Sequence, residues 1–166
     1  MSRFTVALLC ALVMGPAMAA PPKPAPAPVP AALSADTNAK YLADNAKKPG
    51  VVTLPGLQYE VLKKGTGAVA HRHDCVTVNY KGWLINGKVF DQTEGKPATF
   101  PANLLIPGWT TVLQLMHEGD LWRITVPSEL AYSADGTGEG TIPPNQTLVF
   151  DVQLLRVTKP VKGQCR

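Results

Sequence analysis

The chain has 166 residues, a formal net charge of +4, 45% hydrophobic and 17% charged residues, 16 prolines and 3 cysteines. The positive charge is mild, and Lys47-Lys48 and Lys63-Lys64 are isolated pairs. That pattern excludes the clustered basic face of a nucleic-acid binder.

Residues 1–19 have the layout of a secretory signal. Arg3 is the positive start, Phe4 to Met14 is apolar, and Ala17-Met18-Ala19 is a small-x-small cleavage site. The apolar stretch is too short to remain across a bilayer, so cleavage without stable membrane insertion is expected. The destination is then the periplasm or the exterior. Cys10 follows Leu9 rather than the small residue that a lipid-anchored cysteine requires. Cys75 and Cys165 remain after cleavage. An even number in an oxidising compartment suggests a bridge, but sequence does not supply the Cα separation that a bridge requires.

Residues 20–33 are a Pro/Ala-rich spacer, with prolines at 21, 22, 24, 26, 28 and 30. Such a segment favours extended polyproline geometry. Residues 34–50 predict one short helix. Ser34 caps it, Ala39, Leu42, Ala43 and Ala46 give it a narrow apolar face, and Pro49-Gly50 ends it.

Strand grammar begins at Val51. Leu57, Tyr59 and Val61 alternate with more polar neighbours, as do Val76, Val78 and Tyr80. Asn86-Gly87 marks a hairpin in which both residues accept positive φ. Gly108 to Met116 predicts a helix stopped by Gly119, and Leu121 to Val126 predicts a return to strand. After a Gly-rich loop from Ser133 to Gly140 and the Pro143-Pro144 turn, Thr147 to Val157 reads as a final strand. The order predicts an α+β domain over residues 51–159, an antiparallel β-sheet wrapped around one short α-helix, with a tail at 160–166.

The residues for covalent chemistry are sparse. No serine lies in a nucleophile elbow. His71, His73 and Cys75 read better as a polar loop before a strand than as ligands, so no metal is expected. Gly65-Thr66-Gly67 lacks the lysine of a phosphate loop. Asp91, Glu94, Asp120 and Glu129 fall in separate loops. Aromatics are more telling: Tyr80, Phe90, Phe100, Trp109, Tyr132 and Phe150 all fall at strand ends or the helix start. With Asp91 beside them they suit a small apolar site with a few fixed polar groups.

Five segments occur together in one order: Val78-Asn79-Tyr80-Lys81-Gly82, Gly87-Lys88-Val89-Phe90-Asp91, Leu105-Ile106-Pro107-Gly108-Trp109, Glu129-Leu130-Ala131-Tyr132, and Ile142 through Asp151. On these the chain resembles the FKBP-type peptidyl-prolyl cis-trans isomerases. Ala39 to Gly50 followed by Gly56-Leu57-Gln58-Tyr59 is similar to their exported bacterial branch, which includes macrophage-infectivity-potentiator-like proteins. The resemblance implies catalysis of X-Pro rotation without a cofactor, on proline-containing polypeptides. It implies Trp109 as the floor under a proline ring, with Tyr80, Phe90, Phe100 and Phe150 as walls. It further implies Leu105 and Ile106 at the rim, Asp91 and the Tyr132 hydroxyl as polar groups, and Ile142 closing the site from the loop above. Macrolides are implied ligands. A single short N-terminal helix, in place of the branch's longer helical region, implies a monomer. The chain departs from the family at Ala98, where an aromatic is common, at Leu105 in place of valine, and at Ser133 where glycine usually follows the tyrosine. The alternative is a non-catalytic holdase or binding module that uses the same apolar cup.

Overall fold

The computed structural model describes residues 29–165; the signal segment and the spacer through residue 28 lie outside the described residues. Helix α1 spans Ala35–Asn45, and strands β1 (Val51–Leu54), β2 (Leu57–Lys63), β3 (Cys75–Leu84), β4 (Val89–Gln92) and β5 (Ala98–Pro101) follow. Helix α2 (Pro107–Leu113) precedes β6 (Leu121–Val126) and β7 (Leu148–Thr158). The seven strands form one antiparallel sheet in the order β1-β2-β6-β7-β3-β4, with β5 also paired to β3.

β7 lies between β6 and β3, which explains why its first half is largely buried, with only Asp151 and Gln153 interrupting the apolar residues from Leu148 to Leu155. Leu148, Phe150, Val152 and Leu154 alternate onto one face and are at most 4% exposed. α2 packs on that face: Trp109, Val112, Leu113 and Met116 join Ile124, Val126, Val76 and Val78 in the main core. Pro107 starts the helix where its missing N–H costs nothing. The helix ends at Leu113, three residues before the predicted Met116, although Met116 remains buried.

The hairpin after β3 forms, but only Gly87 has positive φ, at 84°. Asn86 instead accepts the Lys88 N–H at 3.0 Å through its side chain. The expectation that both residues adopt left-handed geometry therefore fails, because the side chain closes the turn locally.

α1 also differs from its sequence reading. Ser34 caps it, with the hydroxyl accepting the Thr37 N–H at 3.2 Å. Yet Ala39, Ala43 and Ala46 face outward, and the buried residues are Asn38 and Asn45. Asn45 donates to Gln58 Oε1 at 2.8 Å, and Gln58 donates to the Leu42 carbonyl at 2.9 Å. Gln58 pairs with Thr125 and Thr125 with Val149, all on the face opposite α2. The helix thus covers the back of the sheet through amides, a contact that hydrophobic periodicity does not register. The segment read as spacer also reaches further in than expected, since Leu33 is 3% exposed within the core.

Cys75 and Cys165 are joined, with Cα atoms 5.4 Å apart, so the C-terminal tail is tied to the start of β3. Beside them Asp74, 3% exposed, accepts Lys159 Nζ at 2.6 Å and the His71 N–H at 3.1 Å. The Lys159 hydrogen bond, outweighing burial and helped by His71, holds the Asp74 carboxyl below its ordinary value of 3.8. A lowered folded value stabilises the protein above the unfolded value, and this contribution is lost as pH falls through the folded one. Acid unfolding from pH 6 to pH 2 is therefore expected to be shallower in Asp74→Asn than in the parent. Parallel acid limbs in the two proteins would show that Asp74 carries no such linkage.

Candidate functional site

Five rings form a connected arc at one end of the core. Trp109, on the first turn of α2 and 5% exposed, lies at its centre. Tyr80 meets Trp109 edge to face at 5.3 Å and 89°, and Phe150 meets it from another side at 5.3 Å and 88°. Phe90 stands edge-on to Phe150 at 5.5 Å, and Phe100 is tilted against Tyr80 at 6.3 Å. Edge-to-face pairs of this kind contribute about 0.5–1.5 kcal/mol each beyond burial.

Strand register sets the arc. Gly82 pairs with Phe150 on one side and Asp91 on the other. A Cβ on Gly82 would lie 2.7 Å from Phe90 Cζ and 2.8 Å from two Phe150 ring carbons. Glycine here lets the two rings close over the strand. Gly82→Ala is expected to cost about 1–3 kcal/mol through overpacking, because neither locked ring can retreat. A denaturation midpoint equal to that of the parent would show that the rings yield.

The arc lines a cavity of about 220 Å³ together with Leu105, Ile106, Asp91 and Tyr132. This is below the ~300–1,000 Å³ of pockets for drug-sized ligands and suits a single small ring. The Tyr80 hydroxyl donates to Asp91 Oδ2 at 2.6 Å. Burial first, then that hydrogen bond and the Asp91 charge, raises the Tyr80 phenol far above its ordinary value. Burial, with Asp91 adding to it, also raises Tyr132. Both phenols thus remain proton donors at neutral pH, and Tyr132, 39% exposed, is among the residues lining the cavity. The lining contains no serine, cysteine, histidine or lysine, so the well can bind and orient but holds no nucleophile of those types.

Of the residues singled out in the sequence, Tyr80, Phe90, Asp91, Phe100, Leu105, Ile106, Trp109, Tyr132 and Phe150 meet in this one cavity. Ile142 does not. It is 3% exposed in the main core, and Thr137 holds its N–H through Oγ1 at 2.9 Å and its carbonyl through N–H at 2.9 Å. Those two bonds close the neck of the loop, and the side chain is buried in the core cluster that also holds Trp109 and Phe150. His71 and Cys75 are drawn into the Asp74 contact and the disulfide. Ala98 pairs with Val78 on β5 and does not line the well. Ser133 has φ 50°, the left-handed geometry that glycine adopts more easily. What the sequence reading missed is the set of buried amides, Asn38, Asn45, Gln58 and Gln146, which no motif marks.

A seven-stranded antiparallel sheet packed on one short helix, with an aromatic well at that helix's first turn, defines a class of protein with a small apolar cavity and few polar groups. Comparison with known sequences and structures agrees in detail. Residues 67–155 match the FKBP-type peptidyl-prolyl cis-trans isomerase family, and residues 29–61 match the domain amino-terminal to such isomerases. The outer membrane protein MIP of Legionella longbeachae is 52% identical over 72% of this chain and 52% of its own length. The FKBP-type 22 kDa peptidyl-prolyl cis-trans isomerase of Escherichia coli K12 is 51% identical over 71% of this chain and 58% of its own length. A peptidyl-prolyl cis-trans isomerase crystal structure from Pseudomonas syringae superposes with a TM-score of 0.73 at 38% identity, over 82% of this chain and all of that one. The chain belongs to the FKBP-type peptidyl-prolyl cis-trans isomerase family. It spans little more than half the length of the two sequence relatives.

Proposed function

We infer that this chain is a peptidyl-prolyl cis-trans isomerase acting on proline-containing polypeptides outside the cytoplasm. The observation that carries the reading is the well floored by Trp109 and walled by aromatic edges. Rotation about an X-Pro amide faces a barrier of about 18–20 kcal/mol and takes tens to hundreds of seconds unaided. No bond has to break; the amide has only to lose planarity. The planar amide carries the larger charge separation, so an apolar well favours the twisted form over it. Binding the twisted geometry more tightly than the planar one lowers the barrier.

In this reading the proline ring rests on Trp109 between Tyr80, Phe90, Phe100 and Phe150, with Leu105 at the rim. The Ile106 backbone N–H and the Tyr132 hydroxyl donate to substrate carbonyls, which fixes the chain on either side of the rotating bond. Asp91 holds the Tyr80 ring by accepting its hydroxyl. The same well would accept macrolides. Export is supported by the Arg3 and Phe4–Met14 pattern, by the disulfide, which suits an oxidising compartment, and by the outer-membrane name of one relative. Among the described residues no helix is long and apolar enough to cross a membrane. The short α1 folds back on its own domain, which supports a monomer.

The test is isomerisation of a short X-Pro peptide by the chain without residues 1–19. A saturable acceleration is expected. Background rates with correctly folded protein would overturn the reading.

A further inference from the structure

The loop that carries Tyr132 leaves the sheet after a 3-10 turn at Ser128–Leu130 and returns at β7. Its two roots, Ser133 at φ 50° and Asn145 at φ 59°, both adopt left-handed geometry without being glycine. Asparagine adopts that geometry readily, whereas for serine it is uncommon and the surroundings must hold it. The Asn145 N–H donates to the Ser133 carbonyl at 2.8 Å, which joins the roots, and the Ser133 N–H donates to the Ser128 carbonyl at 2.8 Å.

What fixes the returning root is the N-terminal segment. Asn38, 5% exposed on α1, accepts the Thr147 N–H at 2.8 Å and donates to Gln146 Oε1 at 3.3 Å. Gln146, 3% exposed, donates to the Leu33 carbonyl at 3.0 Å and to the Pro144 carbonyl at 2.8 Å. Asn38 closes the cluster with Nδ2 at 3.1 and 2.9 Å from the Leu33 and Ser34 carbonyls, so that its two hydrogens are shared among three acceptors, the longest contact being to Gln146. A buried polar group left without its partner is strongly unfavourable, so a satisfied cluster of this kind admits one arrangement. Hydrogen bonds and chain continuity together therefore link Asn38 to the site: Asn38 bonds Thr147 and Gln146, the backbone leads from Gln146 to Asn145, the Asn145 N–H bonds the Ser133 carbonyl, and Ser133 adjoins Tyr132.

We propose that Asn38 is a positioning residue for the site: by locking residues 146–147 it sets where the Tyr132 hydroxyl stands over the well. The proposal rests on the isomerase reading above. Asn38 lines no part of the cavity and acts only through the loop. Asn45 supplies the control, since its bonds to Gln58 and Thr125 secure the same helix without reaching the loop.

The test compares Asn38→Ala and Asn45→Ala for peptide isomerisation, each in the parent and in a Tyr132→Phe background. Asn38→Ala is expected to lower kcat/KM by about tenfold, the scale of a small misplacement of an orienting group. Asn45→Ala is expected to leave kcat/KM unchanged. Once the Tyr132 hydroxyl is gone, Asn38→Ala is expected to cost nothing further. Equal losses in both helix variants, or the same Asn38 loss with and without the hydroxyl, would overturn the proposal. If Asn38→Ala does not fold, Gln146→Ala is measured in the same way. Hydrogen exchange at the Asn145 amide reads the path without activity: it should accelerate in Asn38→Ala and not in Asn45→Ala, and equal rates would overturn the proposal. A parent at background rate would sink the isomerase reading alone, and the exchange result would still decide whether Asn38 holds the loop.

Discussion

Trp109→Ala is expected to lower stability by about 3–5 kcal/mol and kcat/KM for an X-Pro peptide by about a hundredfold. The stability loss follows from burial. Trp109 is 5% exposed and makes edge contacts to both Tyr80 and Phe150, so truncation opens a cavity inside an arc that cannot collapse. The activity loss follows from the proposed function: in that reading the indole is the floor of the well, and without it the twisted amide loses the surface that distinguishes it from the planar one. The two effects separate when kinetics are run at a temperature where circular dichroism shows the variant folded. A folded Trp109→Ala protein with parental kcat/KM would mean that the well is not where proline binds.

Loss of the Cys75–Cys165 bridge is expected to cost about 2–4 kcal/mol while leaving the site intact. The two cysteines are 90 residues apart, so the bridge closes a large loop in the unfolded chain and lowers its conformational entropy. Its folded-state role is local, because β3 is already held by β7 on one side and by β4 and β5 on the other. Cys165→Ser, or the parent in reductant, should therefore unfold at lower denaturant with kcat/KM preserved. An unchanged midpoint would show that the tail contributes nothing to stability. A collapse of activity in folded, reduced protein would show that the start of β3 depends on the bridge for its register with Phe100.

Family membership was legible in the sequence because five motif segments occur in a fixed order, and each contributes a ring, a turn or a close approach with a distinctive residue. Trp109 follows Pro107-Gly108, Asp91 follows Phe90, and Phe150 falls in an apolar run, so the aromatic floor and walls could be named before any coordinates. Ile142 belongs to the same motif but is not among the residues lining the well; it is buried in the core cluster with Trp109 and Phe150, and Thr137 bonds its backbone. Periodicity also chose the wrong face of α1. Apolar stripes mark helices that bury hydrocarbon, whereas this one buries Asn38 and Asn45.

By itself the sequence determined the strand and helix order, the family, and nearly all of the aromatic well, because those follow from local pattern and from side-chain types that few folds place together. Only the tertiary structure decided which side of α1 is buried, that Cys75 and Cys165 are joined, where Ile142 lies, and that Asn38 reaches Thr147 and Gln146. Most of these depend on partners distant in the chain, as with Asn38 and Gln146, which lie 108 residues apart. Pairing between polar groups leaves no periodic trace, because its energy comes from the geometry of donor and acceptor once the chain has folded.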